Sequence, residues 1–125
     1  MKTSKEIEVV LKCDIRKKYE YFIKKVVDSE QVWALRDEEV WATLGDDDRE
    51  FIPLWPKKEF SDLHISGEWE NYFSEAIDLD EFIDGWLPGL EQDKIYLTLM
   101  WHDGVGIELP WANLRHDLKL EMENY

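Results

Sequence analysis

The sequence predicts an α+β domain: N-terminal helices, then an antiparallel sheet made of a three-strand meander plus a C-terminal hairpin, with helices packed against it. Three observations predict this. Apolar residues recur at helical spacing between Ile7 and Val27. Short apolar runs separated by Gly- and Asp-rich turns fill residues 32–55. Ile95, Leu97, Leu99 and Trp101 alternate with Tyr96, Thr98 and Met100 ahead of an Asp103-Gly104 hairpin signal.

Thr3-Ser4-Lys5-Glu6 has the form of a capping box and opens the first helix, which carries Ile7, Val10 and Leu11. The phase slips at Lys12-Cys13-Asp14, so a short helix, a break and a longer helix to about Asp28 are expected, with Phe22, Ile23, Val26 and Val27 inward. Val32–Leu35, Val40–Leu44 and Phe51–Trp55 supply the meander, joined by turns at Asp37-Glu38-Glu39 and at Gly45–Arg49. Pro53 places the third strand at an edge or at its exit. Pro56 suits the first position of a helix that carries Phe60 and Leu63 inward and should stop near Gly67. Residues 69–76 are expected as a less regular connection. Asp78 and Glu81 cap the next helix, whose apolar face is Phe82, Ile83, Trp86 and Leu87 and which Pro88-Gly89 should end. After the hairpin, Pro110 opens a last helix with Trp111, Leu114 and Leu118 on one face.

The chain has 125 residues, so residues 1–125 are expected as a single domain. With 44% hydrophobic residues and seven tryptophans it can build a core without disulfide or metal. The lone Cys13 has no partner for an internal disulfide and suits packing. The N-terminus leads into an amphipathic pattern with no signal-peptide run or membrane span, and a cytoplasmic location is expected.

Fifteen basic against 29 acidic residues give a net charge of −14. Such a field repels nucleic acid and anionic lipid and attracts basic proteins, so the expected partner is a basic protein, with neither nucleic acid nor membrane bound directly. The carboxylates recur at Asp37, Glu38 and Glu39, at Asp46, Asp47, Asp48 and Glu50, at Glu68 and Glu70, and at Asp80, Glu81 and Asp84. These are the candidate partner-binding residues, weighed against a generic solvated surface.

No catalytic, metal or cofactor site is expected. His64, His102 and His116 show no metal-ligand spacing and read as surface histidines, and no nucleophile elbow, P-loop or dinucleotide fingerprint is present. Asp46-Asp47-Asp48 lacks the spaced ligands of a calcium loop, and Asp78-x-Asp80 resembles a nuclease pair only superficially, helix capping explaining it with no extra assumption. Trp33, Trp86 and Trp111 fall on apolar periodicities and are expected in the core, and Trp55, flanked by Pro53 and Pro56, is expected to lock a strand-to-helix corner. Trp41, Trp55, Trp69 and Trp101 suit either the core, the commoner outcome, or an anchor ringed by carboxylates.

Several segments in order, Arg16 with Tyr19–Val26, Val32-Trp33-Ala34-Leu35, Pro53-Leu54-Trp55-Pro56 and Trp86-Leu87-Pro88-Gly89-Leu90, resemble a small bacterial family labelled as a domain of unknown function and marked by a Pro-Leu-Trp-Pro segment. The resemblance runs from Arg16 to the last helix. It implies no catalytic residues, and its shared aromatic, apolar and proline positions imply maintenance of the fold. By size and charge the chain is also similar to immunity proteins of bacterial toxin systems, of the contact-dependent inhibition type. The leading expectation is an immunity protein that neutralises a basic toxin, a ribonuclease or other nuclease. The rivals are an adaptor for some other basic partner and an enzyme using a carboxylate cluster and a metal.

Overall fold

The computed structural model describes residues 5–45 and 47–124. Thr3, Ser4 and Asp46 lie outside the described residues, so the capping box and the first residue of the aspartate run have no structural account here.

Two helices open the chain, α1 (Lys5–Leu11) and α2 (Ile15–Ser29). The break falls at the slip in apolar phase, where Asp14 caps α2 by accepting the Lys17 N–H at 2.9 Å. Ile7 and Val10 of α1 and Phe22, Ile23, Val26 and Val27 of α2 are buried, as the periodicity predicts.

The strands are β1 (Gln31–Arg36), β2 (Leu44–Gly45), β3 (Glu50–Leu54), β4 (Phe73–Asp78), β5 (Ile95–His102) and β6 (Val105–Glu108). The α+β class and the C-terminal hairpin are as expected, but the strand pairing corrects the meander. The full-length partner of β1 is β4, antiparallel from Gln31↔Asp78 to Arg36↔Phe73, and the full-length partner of β3 is β5, parallel from Glu50↔Ile95 to Leu54↔Leu99. What remains of the meander is short: an Arg36↔Trp41 bridge, the Ala42 N–H donated to Leu35 O at 2.8 Å, and the β2–β3 pairs Leu44↔Phe51 and Gly45↔Glu50. One edge of β3 is shared. Its first half meets β2, and Trp55 just beyond its end exchanges backbone hydrogen bonds with Trp33 of β1 at 2.8 and 2.9 Å.

That sharing explains Pro53, which lies inside a strand bonded on both sides rather than on an outer edge. N–H groups two residues apart along a strand face the same neighbour. The missing N–H of Pro53 therefore faces the side of Trp55, in the gap between β2 and β1, where no acceptor is left waiting. β4 falls where an irregular connection is expected. Ile77 is its buried residue, so it lacks the apolar alternation that announces a strand.

Helix α3 (Lys58–Asp62) starts two residues after the buried Pro56, with Lys57 rather than the proline at its boundary; it ends at Asp62 instead of near Gly67, so Phe60 is buried but Leu63, just past its end, is exposed, and a 3₁₀ turn (Gly67–Trp69) follows. Asp78 caps the next helix through the Asp80 N–H, as expected. That helix does not end at Pro88-Gly89: α4 (Leu79–Glu81) passes through a π-helical turn (Phe82–Trp86) into α5 (Leu87–Asp93). In the widened turn Leu87 N–H bonds to Phe82 O, one residue further back than in an α-helix. The shifted ladder accommodates a proline that has no N–H to give and would otherwise crowd the preceding turn. Lys94 closes the rod with a left-handed φ of 60°.

Asp103 and Gly104 have φ values of 51° and 81°, the two positive angles of a type I′ turn. Before it, β5 bulges between Leu99 and His102, with Met100 also left-handed at 57°. Gly106 sits opposite that bulge, where a Cβ would meet Thr98 Oγ1 at 1.9 Å. Helix α6 (Trp111–Met122) packs Leu114 and Leu118 against α2 and α5. Its Trp111 lies half-buried on Tyr96 and donates Nε1–H to Ile95 O at 2.9 Å. Trp33 and Trp86 are likewise half-buried, with Trp86 edge-on to Trp41 at 4.8 Å. Trp55 is fully buried.

Candidate functional site

The acidic residues singled out from the sequence do not gather on one face. Asp37, Glu38 and Glu39 follow the last residue of β1, whereas Asp80, Glu81 and Asp84 follow Asp78, which pairs with the first. The two groups therefore stand at opposite ends of the β1–β4 ladder. Asp47, Asp48 and Glu50 cluster where β3 begins, the end marked by Glu50↔Ile95, and Glu68 stands at the other end of β5, beside Trp101 and His102. Glu70 caps the end of the same 3₁₀ turn, two residues after Glu68. Asp46 lies outside the described residues.

Asp37 differs from its neighbours. Its Oδ1 accepts the N–H groups of Glu39 at 2.8 Å and Val40 at 2.7 Å, which fastens the turn and holds its carboxyl below the ordinary carboxylate value. Glu38, Glu39, Asp47, Glu50, Glu68, Glu70, Asp80, Glu81 and Asp84 are exposed and make no ion pair among the described residues. The ion pairs present use other carboxylates, such as Glu6 with Lys25 and Lys57.

A concave site lies elsewhere. A cleft of about 370 Å³ opens between the 3₁₀ turn and the β5–β6 hairpin, walled by Trp69, Trp101, His64 and His102 and rimmed by Glu68 and Asp103. The histidines expected at the surface are in fact paired. His64 is 8% exposed and stacks on Trp55 at 5.0 Å, and its Nε2 lies 3.1 Å from His102 Nδ1. His116 is exposed, as expected.

For two neutral imidazoles the hydrogen bonds fix the tautomers. Phe60 O, a carbonyl, only accepts, so His64 Nδ1, 2.7 Å away, carries the hydrogen. His64 Nε2 then accepts, and His102 Nδ1 donates to it. His102 Nε2 is left as a bare acceptor, 3.3 Å from Asp103 Oδ2. Burial, the largest cause, holds His64 below the ordinary imidazole value.

Around the pair the rings interlock. Trp55 donates Nε1–H to Trp101 O at 2.9 Å, Trp69 meets Trp101 edge-on at 5.6 Å, and His64 touches Trp101 at 5.5 Å. Trp69 is buried and Trp101 half-buried, so of these indoles it is Trp101 that offers surface to the cleft. No local pattern foretold this site. His64 and His102 are 38 positions apart and meet because α3 and the end of β5 converge on Trp55. The hint in the sequence was the run Trp101-His102-Asp103, aromatic, imidazole and carboxylate together at a hairpin turn.

Among the described residues no three His, Cys, Asp or Glu side chains converge so as to hold a metal ion, and no helix is long and apolar enough to cross a membrane. A search of curated proteins found no match. A family model covers residues 19–118, from the first third of α2 to the last buried residue of α6, and spans every strand and the cleft. The chain belongs to the family described as Protein of unknown function (DUF2750).

Proposed function

We propose that this chain is an acidic binding protein that captures a basic protein, in the way an immunity protein captures a toxin, and that it does so in the cytoplasm. The observation that carries the reading is the excess, among the described residues, of exposed carboxylates that make no ion pair: Glu38 and Glu39 after β1, Asp47 and Glu50 at the start of β3, Glu68 and Glu70 at the 3₁₀ turn, and Asp80, Glu81 and Asp84 after Asp78. Carboxylates engaged within a fold have little field to offer a partner. Those left unpaired raise the encounter rate with a basic surface.

A nuclease is the partner whose chemistry fits best. It must present Lys and Arg to a phosphate backbone, and a rigid acidic surface competes for those groups. The spread of the acidic segments over several corners favours a partner that contacts more than one of them. The test is co-purification with the protein encoded immediately upstream and loss of that protein's nuclease activity at equimolar mixing. Full nuclease activity in the presence of excess chain would contradict the reading.

A further inference from the structure

We propose that the cleft between the 3₁₀ turn and the β5–β6 hairpin is a guanidinium site, which receives one arginine side chain of the basic partner. The assignment rests on the reading that the partner is basic, and adds which of its side chains is recognised and by which atoms. Three features of the cleft carry it.

First, with both imidazoles neutral, His102 Nε2 is an acceptor 3.3 Å from another acceptor, Asp103 Oδ2. Two acceptors at that distance repel unless a hydrogen comes between them or a donor group spans them. A planar guanidinium carries several N–H groups in a rigid fork and spans such a pair. Second, Trp101 forms a wall of the same cleft, and a guanidinium stacks on an indole face with further electrostatic gain. Third, the rim is acidic: Glu68 and Asp103 are both exposed, and the chain as a whole carries −14. An anion would meet that field head-on. At about 370 Å³ the cleft lies near the small end of ligand clefts, roughly 300–1,000 Å³, which suits one long side chain.

The same geometry couples binding to pH. A proton on His102 Nε2 fills the gap between the two acceptors and places a positive charge where the guanidinium must sit. The titratable groups lining the cleft are His64 behind His102, Asp103 in the turn and Glu68 on the 3₁₀ turn, while β2 contributes the uncharged Leu44. Protonation of the pair and arginine binding therefore exclude one another, and affinity falls as the pH drops through the range where imidazoles charge.

The experiment is an NMR titration of the full chain at low salt with the blocked peptide acetyl-Gly-Arg-Gly-amide and its lysine and citrulline counterparts, at pH 8 and pH 5.5. The arginine peptide is expected to give saturable shifts at the His102 ring and the Trp101 indole. Affinity should fall about fivefold or more at pH 5.5, since imidazoles charge between about pH 5 and 8. Lysine should bind about threefold or more weakly, lacking the planar fork, and citrulline should give no response. Asp103→Asn, a change the left-handed turn position tolerates, should weaken arginine binding about fivefold or more at pH 8 while leaving the hairpin signals in place. Absence of saturable shifts in the cleft, equal binding of lysine or citrulline, or an affinity indifferent to pH would overturn the assignment. Capture of a basic protein by a chain whose cleft ignores the arginine peptide would also overturn it, yet leave the acidic-surface reading standing.

Discussion

Trp55 concentrates several roles in one side chain. It is fully buried, bonds its backbone to Trp33, donates its indole N–H to Trp101 O and stacks on His64. Trp55→Ala should cost about 3–5 kcal/mol, the range for a large aromatic removed from a close-packed core, read from the denaturant midpoint. An unchanged midpoint would show that the corner does not depend on the ring. His64 provides a second test, with a definite sign. Its folded-state affinity for a proton is depressed by burial, so the unfolded chain binds that proton more readily. The stability contributed by neutral His64 is present above the unfolded imidazole value, about 6.5, and is lost as the pH falls from there through the lower folded value. Melting temperature should therefore drop below about pH 6.5, and His64→Gln should flatten that part of the profile. A profile unaffected by the substitution would assign the slope to other groups. The core tryptophan was legible because prolines flank it. The histidine was not, because nothing within its own segment shows that Phe60 O and His102 lie on either side of it.

Elements with a repeating apolar period were read well, and those defined by pairing were not. Both N-terminal helices and the break between them follow from the spacing of Ile7, Val10, Phe22, Ile23, Val26 and Val27. The hairpin follows from alternation up to Asp103-Gly104. β4 escaped notice because Ile77 is its buried residue, and the parallel β3–β5 pairing escaped because no local signal says which strand a segment will meet. The helix through Pro88 escaped because a proline-glycine pair ordinarily ends a helix, and only the π turn before it makes room. The bulge in β5 offers a test at this scale. Gly106→Ala would drive a Cβ into Thr98 Oγ1 and should cost about 1–3 kcal/mol, the range for overpacking. Adding Thr98→Ala removes the hydroxyl and should restore part of that loss. A fully tolerated Gly106→Ala, read from the same denaturation curve, would show that the hairpin can widen at no cost.

For the whole molecule, charge was plain from composition, while its placement was not. The net charge of −14 is a count, but which carboxylates stand unpaired and at which corners depends on the ladder registers. The cleft was less legible still, since its walls come from the segment after α3, the 3₁₀ turn and the end of β5. Reversing Glu38 and Glu39 to Lys should leave stability within about 0.5 kcal/mol per site, as both are exposed and unpaired. It should nevertheless slow capture of a basic partner. The measurement that tests the central claim most directly is stopped-flow association of the chain with the upstream-encoded basic protein, from about 25 to about 500 mM salt, over which the screening length contracts from about 20 Å to about 4 Å. The expected result is an association rate that falls steeply with salt, about tenfold or more, and falls further in the charge-reversed variant. A rate flat across that range would contradict the claim that the unpaired carboxylates draw the partner in.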